Sequence, residues 1–597
     1  MPAAANPTPL PAPLPNPLPF PALLAGAVLA IVAPAMLAYN VSPSATFLNQ
    51  AVALAGWGVL LAALIAQLPR GALPWLTPAS AGASLALVAM LLCALASPAW
   101  SALPWSLALS AAGTLAAALA VLWGGLVLAR NGLAASTADA VFGALLLAGL
   151  LNIVVAAIQF FAPSWADGNL IAHATGARPG GNLRQANHLS SLLMLSACGL
   201  VWWAERAREQ LPEWRQLRLA AGGLLMAGLM FAAAITASRT GGVCVLLLGV
   251  WGAVDRSLSR HTRALLLASP VLFALSWWGL SAWAAASGAA YGGDAQLHAK
   301  DLSSSRLGIW SNTLQLILAN PWFGVGWGDF NFAWTLTPFP GRPVAFFDHT
   351  HNLPLQLVVE LGLPLGLALV ALMLWVLWRA GDAAWNALPP ARPVARAAFA
   401  MVVIMVVHSM VEYPLWYSYF LLSAVFVLGL SLGSIVPART REWALPQARA
   451  LLLAAAAALL VSGVGAVVDY KRVVDIFVPP PGASSLEERI AAGQRSVLFS
   501  HHADYAAVTT AEPPSSQMPG FKGATHYLLD SRLMMAWAQA LHEVGEEDKA
   551  RYVAQRLKEF RNPNADEFFA PCSDPARAQA AFQCLEPAKP LRFQDFR

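Results

Sequence analysis

The chain has 597 residues, of which 58% are hydrophobic and only 11% charged, whereas soluble domains carry roughly a quarter charged residues. With a mean hydropathy of +0.57, a string of soluble domains is excluded, and the solvent for most of the chain is lipid. The formal charge of +5 comes from arginines scattered between apolar stretches rather than gathered in one patch, which argues for membrane orientation and against nucleic-acid binding.

Met1 to Pro19 are rich in proline and alanine and hold no Lys or Arg, so the charged n-region of a signal peptide is missing. The first apolar stretch is therefore expected to be an uncleaved transmembrane helix. A span takes about 20 mostly apolar residues. By that rule about thirteen are predicted, near 20–40, 47–67, 81–98, 105–129, 139–161, 186–204, 217–236, 240–255, 264–287, 352–378, 396–412, 415–435 and 448–468. Basic residues recur in every second loop: Arg70; Arg130; Arg206, Arg208, Arg215 and Arg218; Arg256, Arg260 and Arg263; Arg379, Arg392 and Arg396; Arg439, Arg441 and Arg449. The loops between them, such as 41–46 and 99–104, carry few or none. Because Lys and Arg in short loops stay cytoplasmic, this alternation places the N-terminus in the cytoplasm and everything from 469 onward outside.

The expected fold is all-α, a polytopic membrane protein with about 12–13 transmembrane helices, a long periplasmic loop and a small helical periplasmic C-terminal domain. Its expected parts are a cytoplasmic N-terminus (1–19), N-terminal membrane helices (20–287), the loop (288–351), C-terminal membrane helices (352–468) and the tail (469–597). Within the tail, Leu528–Val544 and Glu546–Phe560 read as amphipathic helices joined around Gly545, a hairpin of the tetratricopeptide kind. Cys93, Cys198 and Cys244 sit in apolar runs as core residues. Cys572 and Cys584 suit a disulfide if the tail occupies an oxidising compartment.

The unusual polar residues of the membrane part map to the outer face. Gly181 to His188, Gly-Asn-Leu-Arg-Gln-Ala-Asn-His, opens the sixth span, Arg239 sits in the short turn 236–241, and Arg306 follows three serines in the long loop. His349, His351 and Asn352 end that loop, and His408, Glu412 and Tyr413 lie at the turn before the twelfth span. Ionisable groups at membrane depth are costly and mark sites. Arg184, Arg239 and Arg306 suit a phosphate or pyrophosphate, whose oxygens match the guanidinium fork, and they can stabilise a leaving diphosphate without a metal. His351, or alternatively His349, has the address of a general base for an attacking hydroxyl. Taken singly, each has a plainer reading. An outer arginine also serves as a headgroup anchor, His188 and His408 as interhelical hydrogen bonders, and Glu412 as a structural partner of an arginine. Asp329 and Asp348 form no tight carboxylate cluster, so no metal is expected.

At these same residues the chain resembles a known family. Phe347-Asp348-His349-Thr350-His351-Asn352-Leu353-Pro354-Leu355-Gln356 followed by Glu360-Leu361-Gly362 is similar to the central motif of the O-antigen ligase and polymerase superfamily (Wzy, WaaL and PglL). There, a His-Asn pair begins a helix that ends in Glu-x-Gly. Asn320 to Gly326 and Ser304-Ser305-Arg306 occur there in the same order. The 181–188 stretch resembles the signature of the protein glycosylation ligases, and 408–417 the start of their C-terminal region. The resemblance covers roughly residues 20 to 560, with specific motifs at 181–188, 236–241, 304–362 and 408–417.

That resemblance implies an O-oligosaccharyltransferase of the bacterial inner membrane whose site faces the periplasm. It would move an undecaprenyl-diphosphate-linked oligosaccharide to Ser or Thr of a pilin-like acceptor protein, with inversion and without cofactor. Arg239 and Arg306 are implied to hold the pyrophosphate and His351 to activate the acceptor. Asn182, Arg184, Gln185 and His188 would shape the cavity, with His349, Asn352 and Glu412 beside it. An O-antigen polymerase, a lipopolysaccharide ligase and, from another class, a lipid-linked glycan flippase are the alternatives.

Overall fold

The computed structural model describes residues 20–68, 77–174, 176, 178–297, 305–339, 341–389, 391–434 and 448–597. Residues 1–19, Arg70, Ser304, Arg439 and Arg441 lie outside the described residues. Each expected span is a helix: α1 (Pro21–Met36), α2 (Phe47–Ala66), α3 (Pro78–Trp100), α4 (Trp105–Arg130), α5 (Ala134–Phe161), α6 (Ala186–Gln210), α7 (Arg215–Ile235), α8 (Arg239–Val254), α9 (Arg260–Ser287), α10 (Leu353–Asn386), α11 (Arg392–Ser409), α12 (Ser418–Gly433) and α13 (Ala448–Phe477). Among the described residues, nine helices are long and apolar enough to cross a membrane, and α1, α8 and α12 are shorter apolar helices. The protein is an all-α, polytopic membrane protein.

Lipid is as apolar as a leucine side chain, so close backbone approach holds membrane helices together. α4 and α12 show how. A Cβ added at Gly125 would lie 2.4 Å from the Phe426 carbonyl oxygen, and one at Gly429 would lie 2.3 Å from that of Leu122. Only glycine permits this crossing.

Side-chain bonds sort the connections into two ends. At one end Arg184 reaches the carbonyls of Ala38 and Ala45, and the Tyr470 hydroxyl donates to the Val41 carbonyl at 2.7 Å. There too Ser106 meets His501 at 3.0 Å, and Asn352 donates to the Met410 carbonyl at 3.0 Å. At the other end Arg206 pairs with Asp139 at 3.5 Å, Glu205 accepts from the Ser259 amide at 2.9 Å, and Arg396 pairs with buried Asp255. The loops read as arginine-poor in the sequence thus gather at the end opposite the arginine-rich ones.

The long loop forms helices Arg306–Ala319 and Phe330–Leu336. Between them, Asn320–Gly326 docks backbone to backbone on α10: the Val325 amide donates to the Val359 carbonyl at 2.8 Å, the Gly326 amide to that of Glu360 at 3.0 Å, and the Leu363 amide to that of Pro321 at 2.7 Å. α10 has to break to release those carbonyls. It does so at Gly362, whose φ of 78° and ψ of 170° are open to glycine, two residues before Pro364, which has no amide to donate. The Glu-Leu-Gly triplet is therefore a docking device.

The tail carries the expected hairpin, Ser531–Glu543 and Glu547–Glu559, turning at Gly545. A lone hairpin leaves an apolar face uncovered, and here the loop covers it. Phe330, Phe332 and Trp334 share one core with Trp537, Val553 and Phe560. Asp329 is fully buried and takes His526 at 2.5 Å and Arg597 at 2.7 Å. Arg342 pairs with Glu559 at 2.9 Å and lies over the Phe560 ring. Loop and tail, separate segments in the sequence, thus fold as one cap. Cys572 and Cys584 are bonded within it.

Candidate active site

The site begins where α10 starts. Asn352 caps the helix through its Oδ1, which accepts from the Leu355 amide at 3.0 Å, while its Nδ2 holds Met410 of the 410–413 turn. One side chain thus fastens the end of the loop to that turn. His351, immediately before it, has φ +55°, a left-handed conformation that a bulky residue adopts at a cost of order 1–3 kcal/mol and only when its surroundings enforce it. The enforcement is visible. The Thr350 amide donates to Gln356 at 2.8 Å, Gln356 is held by Glu360 at 2.8 Å, and Trp310 donates to the Thr350 carbonyl at 2.9 Å.

Glu412 is the hub. Its Oε2 lies 3.0 Å from His351 Nδ1, its Oε1 accepts from Asn187 Nδ2 at 2.8 Å and pairs with the Arg306 guanidinium, and Arg306 Nε also donates to the Val411 carbonyl at 2.7 Å. Burial opposes its ionisation, but the hydrogen bond and charge of His351, with Arg306 and His408, outweigh it and hold the Glu412 carboxyl at about 2. A carboxylate on Nδ1 selects the tautomer with the proton there, which leaves Nε2 as the basic nitrogen.

The network continues through Asn187. Its Oδ1 accepts from Arg178 Nη2 at 3.2 Å and from the Ser238 hydroxyl at 2.8 Å. Ser238 in turn caps α8 by accepting from the Gly241 amide at 3.1 Å, so Arg239 is the first residue of a helix whose N-terminus favours anions. Arg178 also donates to the Thr236 carbonyl at 3.1 Å. Burial lowers its pKa, and so do the charges of Arg239 and Arg306, while Glu412 raises it. Three arginines and one carboxylate therefore act on one another, a local excess of positive charge.

Arg306, His351 and Asn352 are joined through Glu412 and the 410–413 turn, and Arg239 is near enough for its charge to act on Arg178. His349 lies beside them, stacked on Tyr413 at 4.4 Å. Others take bracing positions. Arg184 is committed to the carbonyls of Ala38 and Ala45. Buried Asn182 bonds Met36, Leu170 and Ala172. His188 bonds Tyr419 at 3.2 Å, and His408 bonds Ser191 at 2.7 Å. Gln185 stands at the N-cap of α6. Asp329 belongs to the cap, and Asp348 lies 3.0 Å from His349. Arg178 and Asn187 were missed as site residues. The available signal was that Arg178 shares the 162–185 loop with Arg184 alone among its basic side chains, His173 aside.

Three family profiles match the chain. Residues 221–370 match the O-antigen ligase family, 179–204 the protein glycosylation ligase family, and 396–567 the C-terminal region of the virulence factor membrane-bound polymerases. Successive parts of the chain are thus similar to the O-antigen ligase and protein glycosylation ligase families. The chain is also similar to the general O-oligosaccharyltransferase of Acinetobacter baylyi, 27% identical over 304 residues that span 47% of this chain and 48% of that protein. The ComP-specific O-oligosaccharyltransferase of the same species is 24% identical over 271 residues, 44% of this chain and 45% of that protein. The chain thus matches about half the length of these curated relatives.

Proposed function

We propose that the protein is an O-oligosaccharyltransferase of the bacterial inner membrane, with its site on the periplasmic side. In this reading a hydroxyl of an acceptor protein, Ser or Thr of a pilin-like chain, attacks the anomeric carbon of an undecaprenyl-diphosphate-linked oligosaccharide. The new C–O bond forms as the bond to the diphosphate breaks, with inversion. The hydroxyl proton passes to His351 Nε2, and the electron pair leaves on the diphosphate. Arg239 and Arg306, with Arg178 alongside, offset that developing charge.

The observation that carries the reading is Glu412, which grips His351 Nδ1 and the Arg306 guanidinium at once. A base and an anion binder that share one carboxylate are held in a fixed relation, as acid-base catalysis beside a leaving group requires. The disulfide of the cap and the gathering of arginine-rich loops at the far end support the periplasmic assignment. Arg239→Ala and Arg306→Ala are expected to weaken use of lipid-linked donor by purified protein; unchanged donor dependence in both would overturn the diphosphate assignment. The polymerase match over 396–567 favours a second reading, in which the acceptor is another lipid-linked glycan. Intact-mass analysis of pilin from cells with and without the protein separates the two, since only the first reading predicts a pilin mass shift.

A further inference from the structure

The long loop carries an open apolar face that neither proton transfer nor diphosphate binding uses. Its helix Arg306–Ala319 starts at the site, where Arg306 pairs with Glu412 and Trp310 donates to the Thr350 carbonyl at 2.9 Å. From there it runs beside the first turns of α10, its Ile309 and Leu316 in one core with Val358 and Val359. The segment after it is fixed at the break in α10. A Cβ added at Gly324 would lie 2.5 Å from the Glu360 carbonyl oxygen, and the Leu363 amide donates to the Pro321 carbonyl at 2.7 Å. Trp322 and Phe323 therefore stand level with Gly362, about 14 Å further along α10 than its first residue, Leu353.

The length of α10 sets the depth of that break. The first charged residue of α10 beyond Glu360 is Arg379, paired with Asp382 at 2.9 Å. The apolar stretch between, residues 363–378, rises only about 24 Å, against the roughly 30 Å of a hydrocarbon core. To cross the membrane, α10 has to contribute about 6 Å from above the break, which puts Trp322 and Phe323 below the surface of the core. Glu360, in that zone, is buried and held by Gln356 at 2.8 Å, as a carboxyl at such depth has to be. The side chains agree. Residues 307–328 hold no charge at all. Leu307, Leu314 and Leu318, and after them Trp322 and Phe323, are each more than half exposed, Leu318 and Phe323 at 75%. Exposed Leu365, Leu367 and Leu374 continue the open surface down α10 itself. A helix with one buried face and one open, uncharged, apolar face that ends in Trp and Phe suits a lipid boundary.

We propose that the Arg306–Ala319 helix, with Trp322 and Phe323, dips into the leaflet at the site end of the bundle and rests its open face on the acyl chains of bilayer lipid. Part of the long loop is then a membrane element rather than a purely aqueous one. The inference rests on α10 as a membrane span and needs no assumption about the reaction. Its consequence for the transferase reading is one of depth. Arg306, joined to His351 through Glu412, stands about 8 Å above the edge of the hydrocarbon core, in the headgroup layer. A diphosphate on a lipid sits in that layer, so a lipid-immersed helix presents its first residue at the height of the donor's charge.

The test uses full-length protein carrying Cys93→Ala, which removes the free cysteine that is not buried. It is reconstituted in nanodiscs of phosphatidylcholine and phosphatidylglycerol, with or without lipid that bears a nitroxide on its acyl chain. Leu314→Cys, Leu318→Cys and Phe323→Cys each receive a small fluorophore. Leu367→Cys on α10 marks lipid and Val497→Cys in the tail marks water. All five side chains are more than half exposed, so the replacements leave the packed core untouched. Nitroxide lipid is expected to quench the Leu318 and Phe323 probes at least about half as strongly as the Leu367 probe, and about threefold or more above the Val497 probe, with Leu314 between. Quenching at Leu318 or Phe323 no greater than at Val497 overturns the proposal and leaves the face to water or to a protein partner. Donor binding is not read in this experiment. A failure of the diphosphate assignment in Arg239→Ala and Arg306→Ala therefore leaves the immersion standing, and a dry quenching result leaves that assignment standing.

Discussion

The two ends of the membrane bundle both bury charge, and they do so differently. At the far end Arg396 and Asp255 pair one to one. Asp255 also accepts from Trp251 at 3.1 Å, and Arg396 donates to the Ala384 carbonyl and to Ser257. Charge is balanced in that pair, and the arginine ties its own helix to Ala384 and to the segment 255–257 that follows α8. At the site end a single carboxylate, Glu412, is shared by His351, Arg306 and Asn187, with Arg178 and Arg239 close enough to act on one another. Cation outnumbers anion there. A closed pair braces the fold, while an unbalanced cluster is set up to receive a negative group from outside.

Substitutions can break or sharpen that contrast. The largest effect on chemistry is expected from His351→Ala, a loss of about 10²- to 10⁴-fold in transfer rate from removing a general base. Elution and thermal unfolding in detergent should stay near wild type; full activity in a folded variant would remove this histidine from the reaction. At the far end Arg396→Ala strands the buried Asp255 charge and should cost about 3–5 kcal/mol of stability. Thermal unfolding reads this, and the activity per folded molecule should hardly change.

Arg178→Ala should lower donor use by about tenfold to a hundredfold, as the loss of one charge-assisted bond to a developing anion does. Arg184→Ala, from the same loop, should instead cost about 1–3 kcal/mol of stability and leave donor KM unchanged. The reverse ranking would return Arg184 to the site. The smallest effect concerns pH. The folded carboxyl of Glu412 lies at about 2, below its ordinary value of 4.5. The unfolded chain therefore binds the extra proton between these values, and the stabilising contribution is full above about 4.5 and lost as pH falls toward about 2. Glu412→Gln should flatten that part of a stability profile measured by thermal unfolding.

Much of this was legible in the residues. A membrane helix announces itself by an unbroken apolar run, a local property, so each of the thirteen expected segments is found as a helix. His351 and Asn352 were legible because they sit at a helix start within one short stretch. Arg184 and Arg178 mark the limit. The two are six residues apart in one loop, and which of them faces Glu412 depends on where 162–185 turns back on α1 and α6, which no local pattern records. The same holds for the shared core of loop and tail, since the aromatic face around Trp334 and the hairpin around Trp537 are about 200 residues apart.

The sequence by itself determined the solvent, the helices, the alternation of basic loops and the residue types capable of acid-base and anion chemistry. These follow from transfer free energies and side-chain pKa values that each residue carries with it. Only the tertiary structure decided that Glu412 joins His351 to Arg306, that Asn187 joins Glu412 to Arg178, and that the tail packs on the long loop. The contacts to Glu412 close loops of 61 to 225 residues, and their geometry exists only once the bundle and its cap have packed.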